Sequence, residues 1–179
     1  MLFLNFMKKN KKTIDEILRV NHAGEYGAQI IYNSQIKFSK NSLLKKELKK
    51  ISSEEKDHLK YFQEQILLNR TRPSIMQPIW KAGGTALGFI SSILGEKYVH
   101  ACTEAIENTI VDHYKEQVKL LKKKKIREDL RKKIVKFCKE EDMHRLNASK
   151  NNSNTAGVLF FKTITKNITK LAIKISKKV

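Results

Sequence analysis

Two stretches of this chain place a histidine three residues after a glutamate: Glu55-Lys-Asp-His58 and Glu141-Asp-Met-His144. The chain has only five histidines, so a shuffled sequence would hold fewer than one such pair. The excess is mild, but the geometry gives it meaning. On a helix, positions i and i+3 lie on one face. Side chains of these lengths can reach one metal ion together. Two such pairs, joined by one glutamate from each of two further helices, form the carboxylate-bridged two-metal centre of certain four-helix proteins.

The two further glutamates can be found. Glu25 sits among Ala23, Gly24, Gly27 and Ala28. A lone carboxylate there is costly unless it is paired or bound to metal. Glu107 lies in ACTEAIENTIVDHYKEQ, on a face with Thr103, Ile110, Val111 and Tyr114. From Glu25 to Glu55 is 30 residues, and from Glu107 to Glu141 is 34, a difference of about one helical turn. The metal-ligand candidates are therefore Glu25, Glu55, His58, Glu107, Glu141 and His144. Four carboxylates match the charge of two divalent ions. Such a donor set suits iron or manganese better than thiolate-seeking metals. Without metal the inward carboxylates would repel and take up protons, so metal is expected to add to folded stability. The neighbours Glu54 and Glu140 read as solvated faces of lysine-rich helices. His22 and His113 are candidate orienting partners for the ligands. His113 and Tyr114 fall about two turns beyond Glu107, and His100 has no assigned role.

The elements that must carry these residues read as helices. The chain is 179 residues with only 2 prolines and 7 glycines, and Lys, Leu, Ile, Glu and Ala are prominent, so an all-α domain is expected. Residues 1–12 read as a tail and 13–179 as one domain. The first helix is expected over Thr13–Phe38, with Thr13 and Glu16 as a capping box, and the second over Ser42–Leu68. Both prolines, Pro73 and Pro78, fall in NRTRPSIMQPIW, the one long connection. A third helix begins in AGGTALGFISSIL and continues, kinked near Gly95, through EKYVHACTEAIENTIVDHYKEQVKLL. A fourth runs over Lys124–Ser149, and NNSNTAG is a turn. The last segment, VLFFKTITKNITKLAIKISKKV, repeats apolar residues at helical spacing with lysines between them, as membrane-surface helices do.

Composition bounds the partners. The formal net charge is +19, which favours an anionic surface such as lipid headgroups or nucleic acid. The uncharged Ala82–Leu94 run is too short to cross a bilayer. The segments near 80–94 and 158–179 are the expected membrane contacts. Cys102 and Cys138 form no ligand motif and read as packing residues. The N-terminus lacks the order of a signal peptide. A basic helical module binding membrane or nucleic acid without catalysis is the alternative from another class. Another ferritin-like di-iron oxidase is the alternative within the class.

The stretches RVNHAGEYGAQIIY, EEKDHLKYF, PIWKAGGTALGFISSILGEKYVHACTEAIENTIVDHYKEQ and EEDMH resemble the demethoxyubiquinone hydroxylase family of ubiquinone biosynthesis. The resemblance runs from about Ile14 to the end. It implies a ferritin-like four-helix bundle with a long crossover and a C-terminal amphipathic helix. It implies two non-haem iron ions held by the same six residues, with Glu55 and Glu141 or Glu107 as bridges. The implied reaction uses O2 to hydroxylate the ring of a polyprenyl demethoxyquinone, with NADH as electron source and His113 and Tyr114 as relays. No G-x-G-x-x-G dinucleotide fingerprint is present. Asn21 stands where the family usually carries Asp, which removes a charge and keeps an acceptor. With no targeting segment read at its start, the chain is expected to be a peripheral enzyme on the cytoplasmic face of a bacterial inner membrane, or on the matrix face of the mitochondrial one. The resemblance leaves room for a homo-oligomer and for other proteins of ubiquinone biosynthesis, and gives no place to nucleic acid.

Overall fold

The computed structural model describes residues 2–179, with side chains described from Met7 onward. The described residues form six helices and no strand: α1 Leu2–Phe38, α2 Ser42–Leu68, α3 Gln77–Leu94, α4 Glu96–Lys124, α5 Glu128–Asn151 and α6 Ala156–Ser176. This is the all-α architecture the sequence predicts. Two helical hairpins, α1–α2 and α4–α5, make the bundle, while α3 packs chiefly on α1 and α6 chiefly on α4.

Local chemistry sets the breaks. Asn41 caps α2, its side chain accepting from the backbone N–H groups of Leu43 and Leu44 at 2.7 and 3.1 Å. Gly95 has φ 106°, a conformation suited to glycine. It separates α3 from α4, so the expected kink is a full break. The α4–α5 turn passes through left-handed Lys125 and Arg127. The Arg127 guanidinium donates to Asn69 and Gln65 at 2.8 Å each, tying this turn to the end of α2. Glu128 and Asp129 follow in the first turn of α5, where the helix dipole favours acids.

The start of α1 differs from expectation. The helix begins at Leu2, so residues 2–12, read as a tail, are helical. No proline or glycine interrupts that stretch. Thr13 is therefore inside the helix, and its hydroxyl donates back to the Lys9 carbonyl at 3.0 Å instead of capping.

The main apolar core joins Ile14, Ile17, Leu18 and Ile31 of α1 to Phe62, Ile106, Ile110, Leu121, Ile134 and Phe137. The free cysteines fit their packing role, with Cys102 buried and Cys138 half-buried. Burial pushes the Cys102 thiol up to about 12, which makes it inert at neutral pH. Helix α3 approaches α1 closely: a Cβ at Gly88 would lie 2.5 Å from the Ile31 carbonyl oxygen. No helix among the described residues is long and apolar enough to cross a membrane.

Candidate metal centre

All six predicted ligand residues come together in the bundle interior. Glu55, Glu107 and Glu141 are 0% exposed, Glu25 1%, His58 2% and His144 4%. Their donor atoms form two overlapping groups that could each hold a metal ion. One is Glu25, Glu55, His58 and Glu141; the other is Glu55, Glu107, Glu141 and His144. Within each group the atoms lie within 4.8 Å of one another. Glu55 and Glu141 belong to both groups, whereas Glu25 and Glu107 each belong to one.

The surrounding polar groups repeat by an approximate two-fold exchange of the hairpins. Tyr114 of α4 donates its hydroxyl to Glu25 of α1, and Tyr32 of α1 donates to Glu107 of α4. Each tyrosine stands seven residues after the glutamate on its own helix and serves the glutamate of the other. Burial and the neighbouring carboxylates push both phenols well above their ordinary range, so they remain donors. The histidines are treated likewise. His58 Nδ1 faces Glu141 Oε1 at 2.9 Å while its Nε2 faces Glu140 Oε2 at 3.0 Å. His144 Nδ1 faces Glu141 Oε2 at 3.2 Å, and its Nε2 faces Glu54 Oε2 at 2.6 Å.

An imidazole with a carboxylate oxygen at each nitrogen satisfies both only as the doubly protonated cation. Burial pulls the His144 pKa down, but the Glu141 and Glu55 carboxylates beside its Nδ1 outweigh it and bring it to about 12. His58 is raised in the same way by Glu141 against its burial. Burial pushes Glu141 up, and the two histidines more than reverse this, holding it at about 2. Glu25 and Glu107 are pushed well above the carboxylate range, first by burial and then by Glu55 and Glu141. Glu55 is also raised by burial and by Glu141. The cluster thus holds protons where cations would balance it.

The donor set fits a pair of metal ions. Glu25 Oε2, Glu107 Oε2 and both Glu55 oxygens are buried with no hydrogen-bond partner among the described residues. Such orphaned acceptors are costly unless a cation meets them. A metal taking the Nδ1 position would displace one proton from each histidine and leave Nε2–H on Glu140 or Glu54. That outer hydrogen bond fixes ring and tautomer.

Sequence reasoning missed Tyr32, Glu54 and Glu140. Glu140, expected to face solvent, is half-buried on His58, and Glu54 plays the same part for His144. The repeated Glu-Glu-x-x-His and the repeated Glu with Tyr seven residues on were the available signals. His22 and His113 do not orient the ligands. His22 meets Gln77 at 3.5 Å. His113 Nε2 accepts from the Gln117 amide at 2.7 Å, and Gln117 in turn pairs reciprocally with Asn21 at 2.9 and 2.7 Å. Burial, with help from Lys177, pushes His113 down to about 4, so it is neutral. Asn21 therefore reaches His113 through Gln117 rather than directly. Of the relay pair, only Tyr114 touches the cluster.

Beside the cluster lies a cavity of about 450 Å3 between α1, α3, α4 and α6. Its wall includes Gly24, next to Glu25, and Ile106, next to Glu107. The lining is almost wholly apolar, and Ile79, Ile90 and Ile168 on its rim are exposed. Phe89 and Ile93 of α3 and Phe160 and Leu171 of α6 are exposed as well.

The family described as Ubiquinone biosynthesis protein COQ7 matches residues 12–176, nearly the whole chain. The chain belongs to this family. Among curated relatives, the Bos taurus "NADPH-dependent 3-demethoxyubiquinone 3-hydroxylase, mitochondrial" is 39% identical over 137 residues, 75% of this chain and 63% of the bovine protein. The Dictyostelium discoideum protein of the same name is 31% identical over 174 residues, 96% of this chain and 80% of its own length. The Rhodospirillum rubrum "3-demethoxyubiquinol 3-hydroxylase" is 38% identical over 133 residues, 74% of this chain and 62% of the relative. The chain thus spans a little under two thirds of the length of the bovine and bacterial relatives.

Proposed function

We propose that this COQ7-family chain is a di-iron monooxygenase that hydroxylates the ring of a polyprenyl demethoxyubiquinol. The observation that carries this reading is that an apolar cavity is lined by Gly24 and Ile106, the residues directly before Glu25 and Glu107 of two buried carboxylate–histidine donor groups. The names of the bovine and bacterial relatives support the substrate class. In the reaction, a ring C–H and O2, with two electrons and two protons, become a ring C–OH and water.

Glu25, Glu55, His58 and Glu141 would hold one iron, and Glu55, Glu107, Glu141 and His144 the other. When bound, the iron pair supplies the redox chemistry that activates O2. The protein's own residues do the rest. Tyr114 and Tyr32 fix one oxygen of Glu25 and of Glu107 respectively and leave the other free for metal. Glu140 and Glu54 keep the ligand histidines in the Nε2–H tautomer. The apolar cavity excludes water from the ring and the cluster. Tyr114 is placed to pass a proton or an electron at Glu25, whereas neutral His113 bonds to Gln117 and does not touch the cluster. The electron source is a reduced nicotinamide dinucleotide; the family resemblance implies NADH, while the bovine relative's name specifies NADPH.

The exposed apolar residues of α3 and α6 flank the cavity, with Lys166, Lys170 and Lys174 among those of α6. This face would rest on an anionic membrane and receive the quinol from it, as a peripheral contact. Protein grown with ample iron should carry two iron ions per chain and convert a short-tailed demethoxyquinol only when O2 and reductant are present. Absence of bound iron, or an unchanged quinol with iron in place, would refute the assignment.

A further inference from the structure

The five glycines on the facing surfaces of α1 and α3 divide into two sorts. A Cβ at Gly84 would press on Ile30 at 3.1 Å, and one at Gly88 would collide with Ile31 and Ser34. Those two glycines let the helices approach. A Cβ at Gly24, Gly27 or Gly83 would meet nothing within 4 Å. A glycine inside a helix weakens it relative to alanine, and at Gly24 and Gly27 no protein packing accounts for that cost. Both line the apolar cavity, with Gly83 across from them.

The register of the two helices places Trp80 at the same level. His22 faces Gln77, Gly27 faces Gly84, Ser34 faces Gly88 and Gln35 faces Ser91. The helices therefore run parallel, and Trp80 falls opposite the turn that carries Ala23, Gly24 and Glu25. Trp80 also lines the cavity. Its indole nitrogen is buried and meets no acceptor among the described residues. A buried indole N–H ordinarily finds a partner.

We infer that the missing side chains of Gly24 and Gly27 leave a flat slot for the substrate ring, and that the Trp80 indole N–H donates to a ring oxygen there. This deepens the proposed function, because the ring is taken to be that of the quinol. The slot holds the ring beside Glu25, while the wider apolar part of the cavity receives the start of the tail. Gly24 and Gly27 are specificity-determining residues by this reading, and Trp80 is the residue that orients the ring.

Trp80 is the only tryptophan in the chain, so its fluorescence reports directly on the slot. Iron-loaded protein would be titrated with a para-benzoquinone bearing one isoprenyl unit. Quenching of Trp80 is expected to saturate in the native protein. Gly24→Leu and Gly27→Leu should weaken the apparent affinity at least tenfold, with iron content unchanged. Gly24→Ala and Gly27→Ala should weaken it less while raising the melting temperature, a combination that a folding defect would not give. Trp80→Phe keeps the ring face but loses the donor, and should raise KM for the quinol by about tenfold with little change in kcat. Equal quenching in the native protein and both leucine variants would overturn the inference. So would hydroxylation without any quenching, which would place the ring elsewhere and leave the proposed function standing. Slot-dependent quenching without hydroxylation would do the reverse: the slot would stand and the proposed reaction would fall.

Discussion

The two halves of the candidate metal centre use the same residue types and sit in different surroundings. His58 lies against Phe137, with ring centroids 3.9 Å apart, and Tyr61 and Phe62 close the aromatic cover around Phe137. Its outer partner Glu140 has a side chain 26% exposed. His144 instead borders a polar opening of about 290 Å3 lined also by Glu47, Lys50, Glu54 and Lys150. Its outer partner Glu54 is 41% exposed. One half is covered by aromatic rings and the other backs onto a polar surface opening through Glu54. Ligand chemistry is thus duplicated, while solvent access is not, and the two metal positions should differ in how readily they exchange.

The largest effects should come from the residues that belong to both halves. Glu141→Ala removes a donor from each group and leaves His58 and His144 without their shared partner. Metal analysis should find both ions lost and hydroxylation abolished. Glu107→Ala should instead leave the His58 group able to hold one ion. A variant of Glu107 that lost both ions would show that the halves do not bind separately.

Removing the metal should invert the pH dependence of stability. In the metal-free fold Glu25, Glu55 and Glu107 bind protons more tightly than in the unfolded chain, as do His58 and His144. Their contribution is full below the unfolded values, 4.5 for the carboxyls and 6.5 for the histidines, and is lost as pH rises above them. Glu141 acts oppositely, and its contribution is lost only as pH falls from 4.5 toward about 2. The melting temperature of metal-free protein should therefore fall between pH 6 and pH 9. Metal replaces these protons, so the loaded protein should hold or gain stability over the same range. Parallel profiles for the two forms would contradict the proton–metal exchange.

The outer carboxylates test the asymmetry itself. Glu140→Gln and Glu54→Gln should each weaken metal binding by about 10- to 100-fold, the range for such outer partners. The loss should be larger for Glu140, because water can replace Glu54 more readily at its open site. Chelator competition measures both, and equal losses would remove the distinction. Smallest should be Tyr32→Phe and Tyr114→Phe, each costing about 1–2 kcal/mol by leaving a buried carboxylate oxygen without its donor. Denaturant unfolding should give similar values for the two if the exchange symmetry extends to the tyrosines.

Much of the centre was legible in the chain. The spacing of Glu55–His58 and Glu141–His144, with Glu25 and Glu107 one per half, identified every residue of both donor groups. Helical periodicity is local, so ligand residues sharing a face can be read without knowing how the helices pack. The boundaries of α2 were readable for the same reason. The start of α1 was not, because Thr13 can cap a helix or bond back within one, and only the continued chain decides which.

What one sequence determines, then, is which side chains each helix face presents: paired acids and histidines, a carboxylate among small residues, and lysines around apolar stripes. Partners across helices were beyond it. Glu140 looks solvated on its own helix and becomes a partner of His58 only when α2 and α5 face each other across the centre. Tyr32 reaches Glu107, Gln117 pairs with Asn21, and Phe137 covers His58, all through the packing of different helices. The same holds for the cavity: Gly24 and Gly88 are the same residue type, and only the distance to the neighbouring helix makes one an empty space and the other a point of contact.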